Sequence, residues 1–159
     1  KILRNGQSIV DLGGAPGSWS QYLSSTLKNT KLLAIDLLEI QEIKNVKLMK
    51  GDFTDDIYKQ KIRSFFNTKI DLVISDMAVN TTGNKNLDAV ATGELAMESI
   101  EFAKEMLKTN GQFVTKLFMG SSFNDIVSKS KKYFKETSVF KPPSSRKDSK
   151  ETFLSLIHI

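Results

Sequence analysis

Three carboxylates in the first third of the chain stand where each closes or follows an apolar run. Asp11 lies in Ser8-Ile9-Val10-Asp11-Leu12, Asp36 ends Lys31-Leu32-Leu33-Ala34-Ile35-Asp36, and Asp52 comes shortly after Val46-Lys47-Leu48-Met49. If these runs are strands of an open α/β sheet, ligands bind outside their carboxyl ends, where all three acids gather. Directly after Asp11 comes Gly13-Gly14-Ala15-Pro16-Gly17. Glycines in such a turn let the backbone approach a ligand closely, and the helix that follows presents free N–H groups. Asp36, 25 residues beyond Asp11, suits the two hydroxyls of a ribose. Asp52 suits an adenine amine or a nearby polar group. The turn is not the dinucleotide pattern G-x-G-x-x-G, because Gly13 and Gly14 are adjacent and Pro16 occupies an inner position; it is not a P-loop either, since no Gly-Lys-Ser/Thr follows. A carboxylate would repel a pyrophosphate. The combination suits a nucleoside bearing a positive sulfonium and an amino group, the alternative being a structural strand–turn–helix with no ligand.

These residues need elements to position them. Ile70-Asp71-Leu72-Val73-Ile74-Ser75-Asp76 reads as a fourth strand ending in another acid, and Gln112 to Phe118 as a fifth carrying Lys116 late in its run. Helical spacing runs from Ser18 to Leu27, with Trp19, Leu23 and Leu27 on one face. It recurs over about Asp55 to Phe66, Asp88 to Leu107 (ended by Asn110-Gly111) and Ser122 to Tyr133. Thr137 to Phe140 and Thr152 to Ile157 read as two last strands joined by a basic, polar loop. Continuous apolar strands alternating with helices predict an α/β fold, a mostly parallel sheet covered on both faces. No linker, repeat or low-complexity tract divides the chain, so residues 1–159 are expected to form a single domain. Trp19 suits base stacking or packing, and its recurrence with Leu23 on one helix face favours packing.

The bulk properties exclude several classes. At 159 residues and 40% hydrophobic, the chain has the composition of a soluble globular domain. No stretch approaches about 18 uninterrupted apolar residues, so none reads as a membrane span, and no signal peptide is recognisable. The opening Lys1-Ile2-Leu3-Arg4 runs almost at once into a strand and reads as a truncated start, with a short N-terminal segment expected upstream. The absence of cysteine and the single histidine, His158, argue against disulfides, thiolate chemistry, a His triad and a multi-histidine metal centre, so no metal is expected. The formal charge is +5, from 23 Lys and Arg against 18 Asp and Glu. Between Lys129 and Lys150 eight basic residues face only Glu136 and Asp148. That segment is either a solvated face or a surface that contacts phosphates.

The stretch from Asp11 to Gln21, Asp-Leu-Gly-Gly-Ala-Pro-Gly-Ser-Trp-Ser-Gln, resembles the cofactor motif of the FtsJ/RrmJ family of ribose 2′-O-methyltransferases. Further matching pieces follow in order: Asp36-Leu37-Leu38, Gly51-Asp52-Phe53, Ser75-Asp76-Met77-Ala78, Val114 to Phe118, and Lys141-Pro142 with Ser144-Ser145-Arg146 and Glu151. The resemblance covers essentially the whole chain. It implies a Rossmann-like, S-adenosylmethionine-dependent methyltransferase fold of seven strands, the seventh antiparallel between the fifth and sixth. It implies a cofactor site of Asp11, Gly13, Gly14, Ala15, Pro16, Gly17, Trp19, Asp36, Leu37, Asp52, Phe53 and Asp76. From the family's Lys-Asp-Lys-Glu catalytic set, Asp76, Lys116 and Glu151 match the Asp, the second Lys and the Glu. The first Lys is expected upstream of residue 1, Lys1 matching a different, non-catalytic position.

The reaction so implied moves a methyl group from S-adenosylmethionine to a ribose 2′-hydroxyl of RNA. Within the family the resemblance is to bacterial members that act on a uridine of 23S-type rRNA in the large ribosomal subunit, although mitochondrial and tRNA-directed relatives share the motifs. A ribose hydroxyl holds its proton tightly, so Lys116 is expected to orient and deprotonate it or to stabilise its growing charge, with Asp76 orienting Lys116 and helping to position the methyl group, and with Glu151 holding the second lysine or the ribose. Ser145, Arg146, Lys147 and Lys150, beside Glu151, are expected to contact substrate phosphates. The expected partner is RNA, with neither DNA nor membrane, and the protein is expected to be monomeric and cytoplasmic, or in the mitochondrial matrix if organellar. The alternatives are a tRNA or cap ribose methyltransferase and a catalytically inactive RNA-binding or ribosome assembly factor. The retained acids and lysine argue against the inactive factor.

Overall fold

The computed structural model describes residues 2–77, 82–120, 122–143, 145, 149 and 151–159, except the side chain of Lys85. Its strands are β1 (Ser8–Leu12), β2 (Lys31–Asp36), β3 (Val46–Lys50), β4 (Ile70–Ser75), β5 (Leu107–Phe118), β6 (Phe134–Phe140) and β7 (Glu151–His158). Its helices are α1 (Ser18–Thr26), α2 (Asp56–Phe66), α3 (Lys85–Met106) and α4 (Phe123–Tyr133). The strands form one sheet in the order β3-β2-β1-β4-β5-β7-β6. β1 to β5 run parallel, while β7 lies antiparallel between β5 and β6. This is the Rossmann-like methyltransferase arrangement that the order of the motifs implies.

β1 sits at the centre, paired to β2 on one side and β4 on the other. Both its faces are covered, and Ile9, Val10 and Leu12 are fully buried. That burial is why the central strands read as continuous apolar runs rather than alternating ones. On one face α2, α3 and α4 bring Ile62, Phe66, Ile100, Phe102 and Ile126 into a core with Val10, Leu33, Val73, Phe113, Leu154 and Leu156. The opposite face is thinner. There α1 sets Leu23 and Trp19 against Ile9, Leu32, Leu72 and Ile74. Local signals start the helices: the Asp55 side chain accepts from Ile57 N ahead of α2, and that of Asn84 accepts from Asn86 N and Leu87 N ahead of α3. Asn67, at φ 61°, ends α2 in the left-handed region.

Several boundaries differ from the sequence expectation, those of β5 and β6 the most. The chain passes from α3 to β5 at Leu107, so Asn110-Gly111 lies inside the strand instead of ending the helix. The pairing explains how: Ile70 faces Leu107 and Leu72 faces Gln112, so β5 bulges between those contacts, with Asn110 at φ 63°. A bulge absorbs turn-type residues without ending the ladder. β6 begins at Phe134 rather than Thr137 and is likewise irregular, between Phe134 and Glu136. Among the described residues no helix is long and apolar enough to cross a membrane.

Candidate active site

Parallel strands β1, β2, β3 and β4 deliver Asp11, Asp36, Asp52 and Asp76 to one edge of the sheet, and β5 delivers Lys116 toward it. Because β7 is antiparallel, its first residue arrives at that same edge, and Glu151 pairs with Phe118. A cleft of about 350 Å³ opens there, walled by Gly13, Ala15, Asp36, Leu37, Asp52, Phe53 and Asp76 together with Ile35, Leu38, Gly51, Thr54, Met77 and Leu95.

The glycine turn is tied to the end of β2. Gly13 N and Gly14 N both donate to Ile35 O, at 2.9 and 3.1 Å. Ala15 N donates to Asp36 Oδ2 at 3.0 Å, and Leu38 N donates to Asp36 Oδ1 at 2.8 Å. Two backbone donors therefore fix the Asp36 carboxylate, and each of its oxygens keeps further accepting capacity for a ligand. Asp52 Oδ1 accepts from Thr54 N and Thr54 Oγ1, at 2.9 and 2.7 Å, so a local turn sets its orientation. Gly13 has φ 73°, and a Cβ there would run into the Met77 side chain. The turn and the residue after Asp76 therefore approach each other as closely as only glycine allows.

Asp11 lies below the turn, 1% exposed. Its Oδ2 accepts from Ser20 Oγ at 2.6 Å, while its buried Oδ1 has no hydrogen-bond partner among the described residues. Burial pushes this carboxyl up to about 6; the Ser20 hydroxyl pulls the other way, and the charges of Asp76 and Asp36 add to the rise. A buried carboxylate oxygen left unmatched beside a ligand cleft is offset by a positively charged group bound against the turn. Together with the glycine cradle, the fixed Asp36 carboxylate and the apolar walls, it makes this donor set fit a cationic nucleoside such as S-adenosylmethionine.

Lys116 Nζ lies 2.5 Å from Asp76 Oδ1 and 3.7 Å from Glu151 Oε1. The contact with Asp76 is an ion pair by distance, though it is not aligned as a hydrogen bond. Lys116 is the less exposed member of both pairs, so the pairing is partly shielded from solvent. Asp76 thus belongs both to the cleft wall and to the charged cluster, joining the two. Among the described residues, no group of three or more His, Cys, Asp and Glu is arranged to hold a metal ion.

Not every residue expected in the site reaches the cleft. Gly14 packs toward Ala34 and Ile40, and Gly17, at φ 119°, toward Ile43. Pro16 follows a cis peptide bond in the turn. Trp19 faces away from the cleft, packing beside Leu23 and stacking on Phe153 with ring centroids 6.2 Å apart. Ser145 is described, its N–H donating to Pro142 O at 3.0 Å. Arg146, Lys147 and Lys150 lie outside the described residues, as does Ala78. Conversely, Ile35, Leu38, Gly51, Thr54, Met77 and Leu95 join the wall without having been assigned to the cofactor site. Leu38, Gly51 and Met77 lie within the matched motif pieces, and Ile35 and Thr54 adjoin them. Leu95 comes from the middle of α3, and no local pattern marks it.

A family model for FtsJ-like methyltransferases matches residues 1–158. The chain is 58% identical over 154 residues to the ribosomal RNA large subunit methyltransferase E of Pelagibacter ubique, covering 97% of this chain and 76% of that protein. Its counterpart from Rickettsia akari is 41% identical over 164 residues, covering 99% and 72%. In three dimensions the chain superposes with a TM-score of 0.85 on a crystal structure described as a ribosomal RNA methyltransferase from Plasmodium falciparum, at 27% identity, covering 100% of this chain and 89% of that one.

Proposed function

The chain belongs to the FtsJ-like methyltransferase family, and from that premise we propose that it transfers a methyl group from S-adenosylmethionine to a ribose 2′-hydroxyl of large-subunit ribosomal RNA, at a uridine. The observation that carries this reading is Asp76, which lines the cofactor-sized cleft while its carboxylate pairs with Lys116. One residue thereby couples the place where the methyl donor fits to the place where a nucleophile would be held.

When bound, S-adenosylmethionine supplies a methyl group on a sulfonium that is electrophilic without a metal. The chain's own residues do the rest. Asp36, already oriented by Ala15 N and Leu38 N, accepts the ribose hydroxyls of the cofactor. Leu37, Leu38, Phe53, Met77 and Leu95 supply apolar wall for its base, and Asp52 supplies a polar contact. The glycine turn would lie against its positive end, with Asp11 beneath the turn acting on it through charge rather than contact. Lys116 binds the substrate 2′-oxygen and stabilises the negative charge that grows there as the hydroxyl proton is released to solvent water. Asp76 and Glu151 hold the Lys116 ammonium in place, so alignment and charge placement are ready before the substrate arrives. The ion pairs favour this reading over Lys116 acting as a neutral base. Arg146, Lys147 and Lys150 carry positive charge next to Glu151 in sequence and suit the phosphates of the substrate strand.

The test is incubation of the full-length protein with labelled S-adenosylmethionine and undermethylated large ribosomal subunits, followed by mass spectrometry of the digested nucleosides. The expected product is one 2′-O-methyluridine per subunit. A methylated base, or label incorporated only into tRNA or capped RNA, would overturn the assignment.

A further inference from the structure

Among the described residues, nothing but α1 covers the face of the sheet that carries Lys116, and β5, β7 and β6 extend beyond it. In the β5/β7 register Lys116 stands directly opposite Phe153, and in the β7/β6 register Phe153 stands opposite Phe140. Cross-strand partners share a face of the sheet. Lys116, Phe153 and Phe140 therefore form one row crossing three strands, with Phe140 two strand spacings, about 10 Å, from the lysine. The Phe153 and Phe140 rings stack with centroids 5.5 Å apart at 19°, and Trp19 of α1 continues the row from Phe153. Helices α3 and α4 cannot cover it, because they contribute to the core on the opposite face, where Leu154 and Leu156 point. On the row's own face α1 reaches only as far as Trp19. Burial along β7 alternates accordingly: Thr152, Leu154 and Leu156 are buried, whereas Glu151, Phe153, Ser155 and Ile157 are only partly so. β6 is the edge strand, and Phe140 there is 41% exposed. Its ring is covered by Phe153 on one side and, among the described residues, by no further strand on the other.

An open aromatic row starting beside the lysine that receives a ribose oxygen has the makings of a base-stacking surface. Bases stack on aromatic side chains whatever their sequence, and such rings recur where proteins hold single-stranded nucleic acid. We infer that Phe140 and Phe153 form a stacking platform for an unpaired base of the RNA, within one nucleotide of the ribose held at Lys116, and that Phe140 positions the substrate rather than taking part in the chemistry. The inference rests on the RNA-methylating function proposed above. A nucleotide anchored by its base on this row and by its 2′-oxygen at Lys116 is fixed at two points, which sets the angle at which the hydroxyl meets the cleft.

The experiment compares Phe140→Leu, which keeps apolar bulk but loses the ring, with Phe140→Tyr, which keeps the ring. Full-length protein is assayed on undermethylated large subunits. Phe140→Leu is expected to raise KM for subunits about tenfold, leaving kcat within about twofold and S-adenosylmethionine affinity unchanged; Phe140→Tyr is expected to restore KM. A wild-type KM in Phe140→Leu overturns the platform. So does a Phe140→Tyr variant as impaired as Phe140→Leu, which would assign the patch to packing of another protein segment. If the wild-type protein methylates no subunits, the proposed function falls, and the platform is judged separately. Trp19 is the only tryptophan of these 159 residues and stacks on Phe153, so its fluorescence reports on the row once any tryptophan elsewhere in the full-length protein is replaced by Phe. Quenching by single-stranded oligouridine that is lost in Phe140→Leu supports the platform, and identical emission with and without oligouridine refutes it.

Discussion

Asp11 carries an electrostatic cost that can be measured. Its carboxyl titrates near 6 in the folded chain against an ordinary value of 3.8. Between about pH 4 and 6 the folded state therefore binds more protons than the unfolded one, and stability falls as pH rises through that window. Above it the full penalty applies, on the order of 3 kcal/mol. Asp11→Asn removes the charge but not the shape. Without cofactor the variant should be more stable than wild type at pH 7.5, and the gap should close as pH falls through 6 toward 4; urea denaturation at both ends of the window decides, and a gap independent of pH would exclude the buried charge as its origin. Lys116 presents the opposite case, a charge held by partners. Lys116→Met keeps an unbranched side chain one atom shorter and loses the ammonium. Methyl transfer should fall by at least about a hundredfold while cofactor affinity by calorimetry stays within about twofold. Retained transfer would remove Lys116 from the reaction.

At the scale of elements, the turn between β1 and α1 shows how backbone geometry makes a ligand site. Gly13 sits at φ 73° against Met77, and the N–H groups of Gly13, Gly14 and Ala15 are all spent on the end of β2. The turn is therefore rigid before any ligand arrives. Gly13→Ala would cost about 1–2 kcal/mol from the left-handed backbone alone and would displace Met77 from the cleft wall. The expected result is a cofactor affinity lowered about tenfold, read by calorimetry with S-adenosylmethionine; unchanged affinity would mean that the Met77 side of the cleft takes no part in binding. The bulge in β5 teaches a related lesson. Asn110-Gly111 is a strong turn signal in isolation, yet pairing with β4 on both sides of it keeps the strand continuous.

At the scale of the molecule, charge and topology act together. The excess of positive charge between residues 129 and 150 runs into Glu151, and β7 carries Glu151 to the active edge. The basic segment is thus joined in sequence to the strand that carries Glu151, as the proposed contact with a substrate strand requires. Replacing both Arg146 and Lys147 with Ala should weaken RNA binding and make the slope of log affinity against log salt shallower by about one to two. Binding measured at several salt concentrations checks this, and an unaltered slope would show that these two side chains neutralise no phosphates.

The number, type and order of the elements, the acids at the strand ends and the glycine turn were all legible in the sequence, because each depends on residues within a few positions of one another. An apolar run of five or six residues is buried whatever its neighbours, and the carboxylates of Asp36 and Asp76 at such ends reach the cleft, whereas Asp11 stays buried beneath the turn. Which distant residues meet is decided by the tertiary structure, and the grouping of Asp76, Lys116 and Glu151 was implied beforehand only by the family resemblance, not by any local pattern. Asp76, Lys116 and Glu151 converge because β7 enters the sheet antiparallel between β5 and β6, reversing the strand so that its first residue, not its last, reaches the site. The same insertion lines up Lys116, Phe153 and Phe140 across three strands, and the packing of α3 turns Leu95 into the cleft. Such contacts arise from strand order and register, which no short window of sequence encodes.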